Sequence, residues 1–250
     1  MSHPPDVRVF DDLDSLSAAA AALFTEACAS AVAERGRALV ALSGGSTPAG
    51  LYSLLARPPY LHQVDWPRLH VFWGDERLVP PTDPQSNYRQ AYDAFLSRVP
   101  IPDANIHRVP VELPPSGAAQ AYALTIKQFA DSPLLWPRLD LVLLGMGDDG
   151  HTASLFPGSP VDLTVPAVAV TGDYQGRPAN RVTLTPPVFN AARRVLFLVS
   201  GQSKSQSLAH VLYGSYQPDR LPAQRIRPTD GELIWLVDRA AASRSTAAKD

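Results

Sequence analysis

The chain has 250 residues, 45% of them hydrophobic and 18% charged, a length and composition that support one substantial core. We therefore predict a single domain over residues 1–250. The 22 lysine and arginine residues nearly balance the 24 aspartate and glutamate residues, and the formal net charge is −2. This balance gives no electrostatic reason to expect nucleic acid or an anionic membrane as a partner.

Strongly apolar runs, such as residues 195–199, are far shorter than the roughly 20 residues that span a bilayer. The amino terminus lacks the basic and then apolar pattern of a signal peptide. We expect a cytoplasmic protein without a membrane partner, present as a monomer or a weak homodimer.

The first elements follow from local patterns. Apolar residues at helical spacing over residues 15–35 predict a long helix, with Asp14 or Ser15 as its cap. Residues 38–42 are a short apolar run, typical of a buried strand, and they end in a glycine-rich segment. A proline then favours the start of a second helix over residues 48–55.

The same alternation continues along the chain. Further strands are predicted at residues 69–73, 139–144, 195–199 and 233–237, and further helices at residues 87–97, 118–129 and 203–212. This order indicates an α/β fold: a doubly wound, mostly parallel sheet with helices on both faces, in a Rossmann-like three-layer sandwich. Ligands bind such sheets at the carboxyl ends of the strands, so the polar turns should meet in one crevice.

The turn after residues 38–42 reads Ser-Gly-Gly-Ser-Thr-Pro. Its glycines allow backbone N–H groups to approach an anion, and the next helix presents the positive end of its dipole. Gly44, Gly45, Ser46 and Thr47 are therefore candidate phosphate ligands. The loop lacks the Lys-Ser or Lys-Thr of a Walker A motif, so we expect no nucleotide triphosphate. A tight turn without a ligand is the alternative.

Residues 145–152, Gly-Met-Gly-Asp-Asp-Gly-His-Thr, contain a G-x-G-x-x-G pattern after a strand. A dinucleotide site is rejected because two aspartates would repel a pyrophosphate and no acid follows about 20 residues after the last glycine. His151 can instead accept a proton from water, and Asp149 can orient the ring or stabilise the imidazolium. A histidine with a purely structural hydrogen bond is the alternative.

Charged residues follow other strands. Asp75 and Arg77 come directly after an aromatic strand, where the first suits sugar hydroxyls or proton transfer and the second suits an anion. Lys204 is predicted in the first turn of a helix, where a cation is unfavourable unless an anion lies there. Arg181 is a further candidate phosphate ligand. A solvated turn and a surface arginine are the alternatives, and either Asp149 or Asp75 could support the histidine.

Other hydrolase signatures are absent from the sequence. There is no Gly-x-Ser-x-Gly elbow, no His-Glu-x-x-His motif and no cysteine–histidine cluster. We therefore expect neither a serine esterase nor a metal site, and no cofactor.

Four segments carry a family resemblance: residues 43–48, 73–77 (Trp-Gly-Asp-Glu-Arg), 86–88 (Ser-Asn-Tyr) and 145–157, which ends in Ala-Ser-Leu-Phe-Pro. Together they resemble the 6-phosphogluconolactonase family over nearly the whole chain. The resemblance implies the doubly wound fold shared with glucosamine-6-phosphate deaminases and a catalytic base at His151. It also implies that the glycine loop, Arg181 and Lys204 take the phosphate, with Asp75 and Arg77 near the sugar ring. Asp148 stands where the family pattern predicts glutamate.

The resemblance implies hydrolysis of 6-phospho-D-glucono-1,5-lactone by a histidine-activated water, without metal or covalent intermediate. A deaminase or sugar-phosphate isomerase on the same fold is the nearest alternative. Deaminases carry Ile-Ala-Phe-Asn-Glu after the histidine, whereas this chain has Thr-Ala-Ser-Leu-Phe there and lacks that glutamate. A non-catalytic sugar-phosphate sensor is a second alternative, but the short segment before the glycine loop is not the basic DNA-binding region that such a regulator needs.

Overall fold

The computed structural model describes residues 5–131, 133–134, 136–160, 164–172, 176 and 178–244. Its main sheet contains β1 (Asp6–Phe10), β2 (Ala38–Leu42), β3 (Leu69–Trp73), β5 (Leu141–Gly145), β8 (Arg194–Val199) and β9 (Glu232–Asp238). These strands are all parallel and lie in the order β1-β9-β8-β5-β2-β3. The parallel strands predicted from apolar runs are confirmed, while the edge strand β1 was not predicted.

Helices cover both faces of this sheet. They are α1 (Leu13–Arg35), α2 (Pro48–Leu55), α3 (Asn87–Ala94), α4 (Pro115–Lys127), α5 (Pro186–Asn190), α6 (Ser205–Tyr213) and α7 (Arg239–Ala242). Successive strand residues point to opposite faces, so Val40 packs in a core cluster with α1, α2 and α3, whereas Ala41 packs with α4 to α7. The predicted three-layer α/β fold is confirmed.

The long helix α1 begins earlier than predicted. Its cap is Asp12, not Asp14 or Ser15: the Asp12 carboxylate accepts the Ser15 N–H at 2.8 Å, and Ser15 completes a capping box. Among the described helices, α1 alone has the length and apolar composition to cross a membrane. Half of its apolar window is buried in the protein, as in the core helix of an α/β fold.

A second, smaller sheet was not predicted. It consists of β4 (Asp75–Arg77), β7 (Asn180–Leu184) and β6 (Ala167–Thr171), paired antiparallel in that order. The segment Asp75–Arg77, for which a solvated turn was one alternative, is a buried strand. Three charged residues in a row carry no apolar pattern, so only their pairing with β7 shows this strand.

The side of the sheet on which successive strands are added reverses at β2. From β2 the chain passes to β3 on one side, and β5 then lies on the other side of β2. The carboxyl ends of β2 and β5 are therefore neighbours with a crevice between the loops that follow them.

Candidate active site

A pocket of about 150 Å³ lies at this crevice. Nine residues predicted for the site line it: Gly44, Gly45, Ser46, Thr47, Asp75, Arg77, His151, Arg181 and Lys204. The tenth, Asp149, contacts His151 from outside the lining. The structure therefore brings all ten residues together, as the convergence of strand ends requires. The other lining residues were not proposed for the site, although all of them lie in the segments 43–48, 86–88 and 145–157 that carry the family resemblance: Ser43, Pro48, Asn87, Gly145, Met146, Gly147 and Ala153.

His151 and Asp149 form a hydrogen-bonded pair. The ring Nδ1 lies 2.6 Å from the Asp149 Oδ1, which also accepts the backbone N–H of His151 at 3.0 Å. Burial favours a raised pKa for Asp149, but the hydrogen bonds from His151 outweigh it and lower the pKa of this carboxyl. An ionised carboxylate only accepts hydrogen bonds, so in the neutral ring Nδ1 carries the proton and Nε2 is the unprotonated nitrogen.

The local geometry requires glycine at two positions of this loop. A Cβ at Gly147 would lie 2.1 Å from the Nδ1 of His151, and Gly150 has a φ of +82°. Gly147 thus makes room for an imidazole beside the backbone, and Gly150 permits the positive φ of the turn ahead of it.

Asp75 is held by different partners. Its Oδ2 accepts the Ser154 hydroxyl at 2.6 Å, and its backbone oxygen accepts the Asn87 amide at 2.7 Å. Of the two aspartates considered, Asp149 is therefore the one that contacts His151. Asp75 lines the pocket beside it.

Glu76, for which a solvated turn was one alternative, is a buried structural residue of β4. It is 1% exposed and accepts the backbone N–H groups of Arg77, Asn87 and Tyr88, as well as the Ser86 hydroxyl. Burial raises the pKa of Glu76, although these N–H donors act against it. The carboxyl ties β4 to the amino end of α3.

Two buried arginines bring positive charge into the pocket. Arg77 is 6% exposed and donates from Nη1 to the Gln85 carbonyl at 2.6 Å, and Arg181 is 2% exposed. The Nε of Arg77 has no hydrogen-bond partner among the described residues. Lys204, at the start of α6, completes a set of three cations. Such a set suits a phosphate group.

Two buried tyrosines anchor the loops that line the pocket. The Tyr52 hydroxyl donates to the Ser43 carbonyl at 2.7 Å and accepts its N–H at 3.1 Å. The Tyr122 hydroxyl contacts both backbone groups of Trp73 in the same way. Each hydroxyl hydrogen-bonds the backbone N–H and carbonyl of a residue at the carboxyl end of a strand, and so holds the following loop in place.

The described residues contain no group of three or more histidine, cysteine, aspartate and glutamate side chains that could hold a metal ion. The predicted absence of a metal and of a cofactor stays a prediction.

The fold and the pocket define a class of protein: a doubly wound α/β fold with a histidine–aspartate pair and three cations together at its switch point. The chain matches the family described as "Glucosamine-6-phosphate isomerases/6-phosphogluconolactonase" over residues 11–235. It is 43% identical to a 6-phosphogluconolactonase of Synechocystis sp., over 95% of this chain and 97% of that protein. The chain therefore belongs to this family.

Solved structures agree. The 6-phosphogluconolactonase of Trypanosoma cruzi matches with a TM-score of 0.87 and 30% identity, over 98% of both chains. The resemblance, fold and enzyme class predicted from the sequence are confirmed. A relative from Oryza sativa subsp. indica, 39% identical over 95% of this chain and 76% of its own length, is named as chloroplastic. The predicted cytoplasmic location therefore stays a prediction.

Proposed function

We propose that this chain hydrolyses 6-phospho-D-glucono-1,5-lactone to 6-phospho-D-gluconate. The observation that carries the proposal is one small pocket lined by both His151 and three cations, Arg77, Arg181 and Lys204. The names of the relatives from Synechocystis and Trypanosoma cruzi support the same reaction. We expect a small-molecule partner; the monomer or weak homodimer, and the absence of nucleic-acid and membrane partners, stay predictions.

The cations would bind the phosphate group. Phosphate carries close to two negative charges at neutral pH, and guanidinium groups match its oxygens in charge and geometry. Burial of Arg77 and Arg181 strengthens this attraction because water screens it less. Anchoring the phosphate at one end of the pocket positions the ring ester near His151.

His151 would act as general base. Nε2 accepts a proton from water as the oxygen attacks C1, and the ionised Asp149 stabilises the imidazolium. The bond from C1 to the ring oxygen then breaks, and the imidazolium returns the proton to that oxygen. A general base contributes about 10²–10⁴-fold. A lactone is an activated ester, so this step with good positioning suffices without metal or covalent intermediate.

The segment after the histidine favours a lactonase over a deaminase. Residues 152–156 contain no acid, and Ser154 is fully buried with its hydroxyl on Asp75. A catalytic glutamate of the deaminase kind thus has no counterpart at this place.

Two assays on the same preparation test the function. The first follows consumption of 6-phosphogluconolactone, freshly made from glucose 6-phosphate, against its spontaneous hydrolysis. The second follows ammonia release from glucosamine 6-phosphate. We expect rapid lactone turnover and no ammonia. Ammonia release without lactone turnover would assign the chain to the deaminases instead.

A further inference from the structure

Two side chains on the first turns of α3 contact the glycine loop: Asn87, which also lines the pocket, and Gln90, which lies on the outer side of the loop. The Gln90 Oε1 accepts the Gly45 backbone N–H at 3.0 Å. The Asn87 Oδ1 lies only 1.8 Å from where a Cβ on Gly44 would be, so the amide packs directly on this glycine. Asn87 lies in the segment 86–88 that carries the family resemblance, whereas the sequence did not single out Gln90.

A second cavity of about 620 Å³ lies on the outer side of the loop, lined by Gly45, Ser46 and Gln90 among others. Gly45 has a φ of +101°, and two adjacent glycines leave the backbone free to adopt other conformations. The hydrogen bond to Gln90 therefore selects one orientation of the Gly45 amide.

The start of α3 is itself rigidly placed. Glu76 accepts the N–H groups of Asn87 and Tyr88, and Ser86 caps the helix by accepting the Arg89 N–H. The carbonyl of Gln85, just ahead of the helix, accepts from Arg77. One element thus contacts both the arginine and the glycine loop of the pocket.

We propose that Gln90 is a positioning residue for the phosphate subsite: its carboxamide holds the Gly45 amide so that the loop is preorganised for the anion. The phosphate is then bound by the backbone amides of Ser46 and Thr47, just ahead of α2, together with the three cations of the pocket. This proposal rests on the proposed function. It predicts that Gln90 affects binding of the phosphate and not the chemistry at His151.

The test is Gln90→Met, which keeps the length of the side chain and removes the acceptor. We expect KM for the phosphorylated lactone to rise about three- to tenfold, as for the loss of one hydrogen bond. We expect kcat to stay unchanged, together with kcat/KM for unphosphorylated glucono-1,5-lactone. Hydrogen exchange at the Gly45 amide should become faster. Gln120→Met, at an exposed position of α4, is the matched control.

Equal KM values for wild type and Gln90→Met would overturn the proposal. A lower KM in the variant would also do so, because Gln90 would then compete with the phosphate for the amide. Titration with inorganic phosphate measures the effect of Gln90 on phosphate binding independently of lactone hydrolysis. If wild type binds phosphate but does not hydrolyse the lactone, the proposed function fails while weaker phosphate binding by Gln90→Met still supports the role of Gln90. If wild type does not bind phosphate, both proposals fail.

Discussion

Arg77 and Arg181 lie directly opposite each other across the antiparallel pair β4–β7, and both are buried at the wall of the same pocket. Like charges in this arrangement repel, and burial adds a desolvation cost. A bound phosphate dianion would offset both the repulsion between the two arginines and the desolvation cost of their burial. The arrangement therefore favours an anion as the natural occupant of the pocket.

Replacing Arg77 by glutamine should weaken phosphate binding strongly. Loss of a buried charged partner typically costs about 2 kcal/mol or more, so KM for the phosphorylated lactone should rise about 30-fold or more. Inorganic phosphate should also raise the Tm of wild type more than that of Arg77→Gln. Arg8→Gln, on the exposed strand β1, is the control. Equal Tm shifts would contradict a phosphate role for Arg77.

Replacing His151 by alanine should remove the general base. We expect kcat to fall about 10²–10⁴-fold, with binding of inorganic phosphate retained, since the cations are unchanged. Steady-state kinetics and phosphate titration measure the two effects separately. Near-normal kcat in this variant would show that another group activates the water.

The two aspartates should differ in their effect on kcat. Asp149 contacts the Nδ1 of His151, whereas Asp75 contacts Ser154 and Asn87. Asp149→Asn should therefore lower kcat more than Asp75→Asn does, because it removes the charge that stabilises the imidazolium. The reverse order, measured at saturating substrate, would make Asp75 the supporting carboxylate.

Gly147→Ala should abolish most activity without unfolding the protein. The added methyl would lie 2.1 Å from the Nδ1 of His151, so the ring must move away from Asp149. Gly117→Ala, where a Cβ meets only ordinary contacts in α4, is the matched control and should be fully active. Circular dichroism checks the fold of both variants, and an active Gly147→Ala would show that the observed ring position is not needed.

Stability should depend on pH through His107. Burial lowers the pKa of His107 to about 4, and the nearby His70 adds to this effect. The unfolded chain, with an ordinary histidine pKa of about 6.5, binds the proton first. The stabilising contribution of neutral His107 is thus present above pH 6.5 and is lost as pH falls towards 4.

Denaturant unfolding of wild type and of His107→Phe at several pH values measures how much His107 contributes to the pH dependence of the free energy of unfolding. His107 stacks on Phe72 with ring centroids 4.7 Å apart, so an aromatic replacement suits the site. We expect the free energy of unfolding to fall less steeply with acid in the variant than in wild type. His62→Phe controls for the loss of a histidine elsewhere, and identical slopes for wild type and His107→Phe would refute the assignment.

Much of the fold was predictable because its signals are local. Short apolar runs marked the strands β2, β3, β5, β8 and β9, and glycines marked the turns after the first four of these strands. The helix α1 was predicted from its periodicity, but its cap was misplaced because Asp12, Asp14 and Ser15 are all acceptable caps by residue type. The edge strand β1 was missed because it is only partly buried and has a mixed pattern.

The sequence by itself determined which polar side chains follow strand ends, since a parallel sheet always brings those ends to one edge. It thereby determined that His151, the glycine loop and Lys204 meet. Only the tertiary structure decided that Asp149 contacts the histidine, that Arg77 opposes Arg181, and that Gln90 holds Gly45. These relationships join segments far apart in the chain or choose between equivalent carboxylates. Residue type alone carries no information about such a choice, because it depends on distance, burial and competing partners in the folded molecule.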